Sequence, residues 1–193
     1  MSNTVKTHLS RRNFLRHSMA ITAGAGLALS APINVFAKSF NHAKSLKLYN
    51  IHTGEKVNTT FWENGIYLPD SLAEINKLLR DHRTGEIVQI DTKILELVHL
   101  LANKLNHNRT FEIISGYRSP KTNAQLRKAD HKGVAKKSYH MKARAIDLRL
   151  PGVDLSHLRQ AAIQLKMGGV GFYPKSNFVH LDTGRVRQWK AKS

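Results

Sequence analysis

The sequence predicts a single α+β domain. Three observations carry that prediction: short segments with strand-like alternation, separate segments with apolar residues at helical spacing, and no internal repeat or long linker. The chain has 193 residues, suited to one domain plus a targeting segment, and 41% hydrophobic content, which supports a core despite a formal charge of +18. It has no cysteine, which excludes disulfides, thiolate metal sites and a cysteine nucleophile.

Leu46 to Ile51 and Lys56 to Phe61 flank the turn-like His52-Thr53-Gly54-Glu55 and read as a β-hairpin, preceded by a loose arm over 38–45. Asp70-Ser71 is expected to cap a helix carrying Leu72, Ile75, Leu78 and Leu79. Asp91-Thr92 is expected to cap a second, with Ile94, Leu97, Val98, Leu101 and Leu105 on one stripe. Phe111 to Ser115 reads as a strand ended by Gly116, and Lys121 to Asp130 as a short helix. Ala143 to Leu150 and Phe178 to Asp182 alternate with period two around a helix over Leu155 to Lys166. Gly168-Gly169-Val170-Gly171 reads as a tight connection into another extended piece.

The first 37 residues read as a leader. Ser10-Arg11-Arg12-Asn13-Phe14-Leu15-Arg16 precedes a weakly apolar, glycine-containing run and Val35-Phe36-Ala37, with cleavage expected after Ala37. The paired arginines resemble the twin-arginine type, which exports folded proteins to the periplasm. The apolar run is too short for a committed transmembrane helix, so no stable membrane insertion is expected, an uncleaved anchor being the alternative. Removing Lys6, Arg11, Arg12 and Arg16 leaves 27 of the 31 basic residues against all 13 acids, so residues 38–193 keep a charge of about +14. An exported basic domain meets cell wall and lipid head groups rather than a genome, and no nucleic-acid partner is expected.

The alternating strands carry the candidate chemistry. With Ile146, Leu148 and Leu150 facing the core, Asp147 faces an open cleft; His180 and Asp182 share a face opposite Val179 and Leu181. His140 lies seven residues before Asp147. Two histidines and a carboxylate can hold a catalytic zinc while leaving a fourth position for water. On spacing alone, ordinary surface pairs remain the alternative.

A resemblance narrows this. Ser138-Tyr139-His140-Met141-Lys142-Ala143-Arg144-Ala145-Ile146-Asp147 resembles the Ser-x-His-x-x-Gly-x-Ala-x-Asp signature of the zinc D-Ala-D-Ala metallopeptidases, whose superfamily includes the hedgehog signalling domain. Ser115-Gly116-Tyr117-Arg118-Ser119 and Asn177-Phe178-Val179-His180-Leu181-Asp182 are similar to that family's flanking segments. Leu48 to Glu55, Gly133 to His140 and Gly168 to Pro174 resemble the exported murein endopeptidase K group, from the leader to Trp189. The resemblance implies a small antiparallel sheet carrying a zinc site and flanked by helices. It implies hydrolysis of peptide cross-links in peptidoglycan, with His140, Asp147 and His180 as ligands of one zinc ion. It places Arg118 where the family uses a cation to bind substrate and steady charge on the scissile carbonyl.

Two positions depart from the family pattern. Ala143 stands where the signature has glycine, and a left-handed backbone there would cost alanine about 1 kcal/mol. Asn177 stands where many relatives carry a carboxylate base, and strand alternation points it away from the metal face. Asp182 is therefore the candidate general base, or else a group that orients a ligand; His131 is a weaker alternative for the base. The run Arg127, Lys128, Lys132, Lys136, Lys137, Lys142 and Arg144 is expected to form a cationic rim for substrate carboxylates, or simply a solvated face. Tyr117, Tyr139 and Tyr173 are expected to line the groove, and Phe172 to join the core. A D-Ala-D-Ala carboxypeptidase, or a non-catalytic peptidoglycan-binding module, are the competing readings.

Overall fold

A computed structural model describes residues 43–129 and 134–191. The leader, the first part of the expected arm, and Asp130, His131, Lys132 and Gly133 lie outside the described residues. The elements run β1 (Ala43–Asn50), β2 (Lys56–Glu63), β3 (Ile66–Tyr67), α1 (Pro69–Leu78), α2 (Thr92–Lys104), β4 (Phe111–Ser115) and α3 (Pro120–Ala129). A 3₁₀ turn (Tyr139–Lys142), β5 (Ala145–Arg149), α4 (Leu155–Leu165), β6 (Gly169–Tyr173), β7 (Phe178–Asp182) and β8 (Arg187–Lys190) follow. No helix of the described residues is long and apolar enough to cross a membrane.

The α+β expectation holds, with a larger sheet. Eight strands lie in the order β3-β2-β1-β4-β5-β7-β6-β8. Most neighbours are antiparallel, while β1 with β4 and β6 with β8 are parallel. Parallel neighbours need a long crossover, and α1 and α2 supply it between β1 and β4. The predicted hairpin forms, and its first strand takes in Ala43 to Ser45, which the sequence reading left in the arm.

One face of the sheet is apolar. Leu48, Ile113, Ile146, Leu148, Val179 and Leu181 join the buried stripe of α2 (Ile94, Leu97, Val98, Leu101) and Leu158, Ala161 and Ala162 of α4 in one core. Burying each of these larger side chains stabilises the fold by roughly 1.5–3 kcal/mol before entropy is counted. Phe172 packs against this core, as expected.

Helix starts separate a correct prediction from a wrong one. Asp91 caps α2, its carboxylate accepting from the Lys93 amide at 3.0 Å. Asp70-Ser71 does not cap α1: the cap position is Leu68, without a side-chain cap, and Pro69 follows. Proline at the first helical position fixes φ and has no amide to leave unsatisfied, which lessens the need for a cap. Asp70 instead lies in the first turn, where it favours the positive end of the helix dipole.

Two further corrections bear on the site. Ala143 is outside β5: it sits in the left-handed region at φ 54°, closing the 3₁₀ turn that carries His140, and the strand begins at Ala145. The Gly168-Gly171 stretch is largely strand, since Gly169, Val170 and Gly171 all belong to β6. Glycine in a strand often marks a close approach of neighbouring groups, and both β6 glycines do so here.

Candidate metal centre

The site is a row across the second face of the sheet. Ser115 of β4 pairs with Asp147 of β5, Asp147 with His180 of β7, His180 with Gly171 of β6, and Gly171 with Trp189 of β8. A second row runs Ala145, Asp182, Gly169 and Arg187. Residues opposite one another in adjacent strands project from the same face. Register alone therefore brings Asp147 and His180 together. His140 arrives from the 3₁₀ turn, whose first residue is preceded by Ser138, its hydroxyl accepting from the His140 amide at 3.3 Å.

Three acceptor atoms converge. His140 Nε2 is 3.2 Å from Asp147 Oδ1 and 3.1 Å from His180 Nδ1, and His180 Nδ1 is 2.8 Å from the same Oδ1. The other ring nitrogens are committed elsewhere. His140 Nδ1 donates to the Gly116 carbonyl at 2.7 Å, and His180 Nε2 donates to Asp182 Oδ2 at 3.1 Å. That leaves the second nitrogen of each ring facing Asp147, a donor when the ring is protonated and a lone pair for a metal when it is neutral. Two imidazole lone pairs and a carboxylate oxygen aimed at one point suit a cation. The residues present fit a metal ion: this trio is a possible metal-holding group among the described residues.

The surroundings hold each ligand in place. Arg118 Nη2 donates to Asp147 Oδ2 and to Ser115 Oγ, both at 3.1 Å. Asp182 is wholly buried and accepts from five donors: His180, both terminal nitrogens of Arg187 (2.9 and 2.7 Å), and the Gly184 and Gly169 amides. A Cβ on Gly169 would lie 2.3 Å from Arg187 Nη1 and 2.6 Å from Asp182 Oδ2. On Gly171 it would lie 2.5 Å from Trp189 Cζ2. The two glycines are thus gaps through which side chains of β8 reach those of β7. The Trp189 ring stands 5.2 Å from the His180 ring.

The charges answer to these contacts. Burial alone would raise Asp147, but His140 and His180 outweigh it and hold its carboxyl well below the usual range. Burial likewise opposes ionisation of Asp182, and hydrogen bonds from His180 and Arg187 overcome it. Burial lowers the His140 pKa, whereas His180, flanked by two carboxylates, is raised against its own burial.

The row opens onto a cavity of about 450 Å³ lined by Arg118, Tyr139, Tyr173, Arg187, Trp189 and the three candidate ligands, among others. Tyr117, expected to line it, is instead buried and donates its hydroxyl to Glu86 at 2.8 Å. The basic run fares unevenly. Lys137 lines the cavity, while Arg144 turns to Asp91 and Thr183, and the remaining described members of the run are not among the lining residues. The lining cations beside Lys137 are Arg83, Arg118 and Arg187. Sequence reading missed Arg83, Arg187 and Trp189; the two glycines spaced by two in Gly169-Val170-Gly171 were the available signal for the last pair. Asn177 is not in β7 but in the turn before it, at φ 53°.

Comparison with known proteins now adds the family. The family model described as peptidoglycan L,D-endopeptidase MepK matches residues 38–189. The chain belongs to this family. It is accordingly a peptidase, and the family is metal-dependent. The MepK peptidoglycan L,D-endopeptidase of Escherichia coli strain K12 is 42% identical over 173 residues, covering 88% of this chain and 94% of that protein. A probable MepK of Haemophilus influenzae strain Rd is 42% identical over 146 residues, covering 75% of this chain and 78% of that protein. No solved structure matches the chain.

Proposed function

We propose that this chain is a peptidoglycan endopeptidase that hydrolyses L,D cross-links between peptide stems, using one zinc ion held by His140, Asp147 and His180. The convergence of three acceptor atoms on one point, at the wall of a cavity large enough for a peptide, carries this reading. The MepK relatives, covered along most of their length, supply the bond type.

A zinc ion in such a site supplies Lewis acidity and a water with a pKa near 7. The chain's own residues do the rest. Arg118 is fixed by Asp147 and Ser115 at the edge of the metal trio, where its permanent charge favours a carbonyl oxygen that gains negative charge. Asp182 orients His180 and keeps its Nδ1 lone pair on the metal side. Of the two roles open to Asp182, five donors leave it little capacity to accept a further proton, which favours orientation over general base. The carboxamide of Asn177 is too weakly basic to take a proton near neutral pH, so it takes no part as a base.

Residues 38–193 form the working domain, delivered to the periplasm by the twin-arginine leader around Arg11 and Arg12. The test is incubation of the purified protein with muropeptide dimers while zinc is measured on the same sample. Dimers should become monomers, lose this fate on chelation and regain it with about one zinc per chain. Product masses read the bond. Dimers left intact by protein carrying stoichiometric zinc would overturn the reading in favour of a carboxypeptidase or a wall-binding module.

A further inference from the structure

We propose that Arg83 is the residue that selects a free carboxylate beside the scissile bond. The inference rests on the substrate assigned above and adds the feature of it that the cavity reads.

Charge around the cavity is unbalanced in a specific way. Its lining includes two carboxylates, Asp147 and Asp182, and each is already paired with an arginine, Arg118 and Arg187 respectively. Arg83 and Lys137 line the same cavity, are exposed, and have no ion-pair partner among the described residues. A guanidinium offers a planar fork that matches a carboxylate in two parallel hydrogen bonds, which a lysine does not.

The backbone at Arg83 is also fixed from below. The preceding Asp81 is only 1% exposed, and its carboxylate accepts from the Arg83 amide at 3.0 Å and the Ser119 amide at 2.9 Å. These two amide hydrogen bonds help keep the buried carboxyl ionised, well below the usual carboxylate range, against its desolvation. The loop closes on itself through the Gly85 amide to the Asp81 carbonyl (2.7 Å) and the Asp81 amide to the Glu86 carbonyl (3.1 Å). Tyr117 fastens it twice, its amide to the Leu79 carbonyl at 2.7 Å and its hydroxyl to Glu86. Gly116 permits that closeness, since a Cβ there would lie 2.4 Å from the Leu79 carbonyl oxygen.

Beside Arg83, His82 stacks on His52 with ring centroids 4.0 Å apart and planes within 12°. His52, another lining residue, is set by a hydrogen bond between its Nε2 and the Ile114 carbonyl. Burial, then the neighbouring His52, push His82 down to about 4, so the stack is uncharged on that side at neutral pH. A buried carboxylate, a tyrosine clamp and a ring stack thus fix the loop that carries Arg83 at the cavity wall, and its guanidinium has no ion-pair partner among the described residues. That is the arrangement expected for a group awaiting a ligand.

The substrate supplies such a ligand. In a bond between two diaminopimelate residues, the acylated amine belongs to a centre whose own carboxylate stays free, one carbon from the scissile nitrogen. Amidation of that carboxylate removes the charge while leaving the scissile bond intact.

Two dimers test this, identical except that the carboxylate is free in one and amidated in the other. The zinc-loaded wild-type protein should favour the free form by about tenfold in kcat/KM, and Arg83→Ala should bring that ratio close to one, chiefly through KM. Arg83→Lys should restore part of the ratio, since it returns the charge but not the fork. Zinc content and the melting temperature of each variant, measured in parallel, separate a binding effect from misfolding. A ratio that survives Arg83→Ala, or a loss that falls equally on both dimers, would overturn the proposal. Wild-type protein that cleaves neither dimer would sink the substrate assignment itself, and the inference with it.

Discussion

The two faces of β5 and β7 are buried to nearly the same degree for opposite reasons. On one, Leu148, Val179 and Leu181 are 0% exposed and touch the apolar residues of α2 and α4. On the other, Asp147 is 4%, His180 8% and Asp182 0% exposed, and their neighbours are donors, acceptors and the ring of Trp189. The apolar face gains from area removed from water, a term indifferent to direction. The polar face gains only where every group meets a partner at the right angle, because an unpaired buried polar group costs about 1–3 kcal/mol. One face therefore sets stability and tolerates approximate shape. The other sets function and tolerates little.

The largest break in that comparison comes from the apolar side. Leu148→Ala should cost about 2–5 kcal/mol in denaturant unfolding, while native protein prepared from the variant still binds zinc. Equal loss of zinc and stability would show that the faces are not separable. Asp182→Asn acts on the other face: it keeps the shape, removes the charge facing Arg187 and weakens the hold on His180. Zinc affinity, read by competition with a chelating dye, should fall about 10- to 100-fold.

Gly171→Ala probes how the polar face is covered. The added methyl must displace the Trp189 ring, with an expected cost of about 1–3 kcal/mol and a changed tryptophan emission that Trp62, at the other end of the sheet, does not share. The smallest effect is expected at Ala143. Alanine at φ 54° carries roughly 1–2 kcal/mol of strain. Ala143→Gly would relieve it, yet also lose a buried methyl worth about 0.8 kcal/mol and gain freedom in the unfolded chain. The offsets predict a stability change within about 1 kcal/mol of zero, measured by thermal unfolding.

Much of this was legible beforehand, and the reasons are local. Alternation in Ala145 to Leu150 and Phe178 to Asp182 separates core from cleft without any knowledge of the partners. The Asp91 cap was readable because capping involves residues only two apart. Asp70-Ser71 misled because the same residue types serve both as caps and as first-turn acids, and Pro69 had already started the helix. The β6 glycines misled because their usual role in turns is local, whereas here their reason lies on β8, up to eighteen residues away.

By itself the sequence determined the helices, the first hairpin, the strands β4, β5 and β7, the apolar face and the residue types able to hold a metal, because period, capping and donor chemistry are properties of short segments. The tertiary structure alone decided the register that sets Asp147 opposite His180 and the passage of Arg187 and Trp189 across Gly169 and Gly171. It also decided which cations reach the cavity. Those depend on strands and loops far apart in the chain meeting at distances of about 3 Å, and no local pattern encodes where a distant partner will stand.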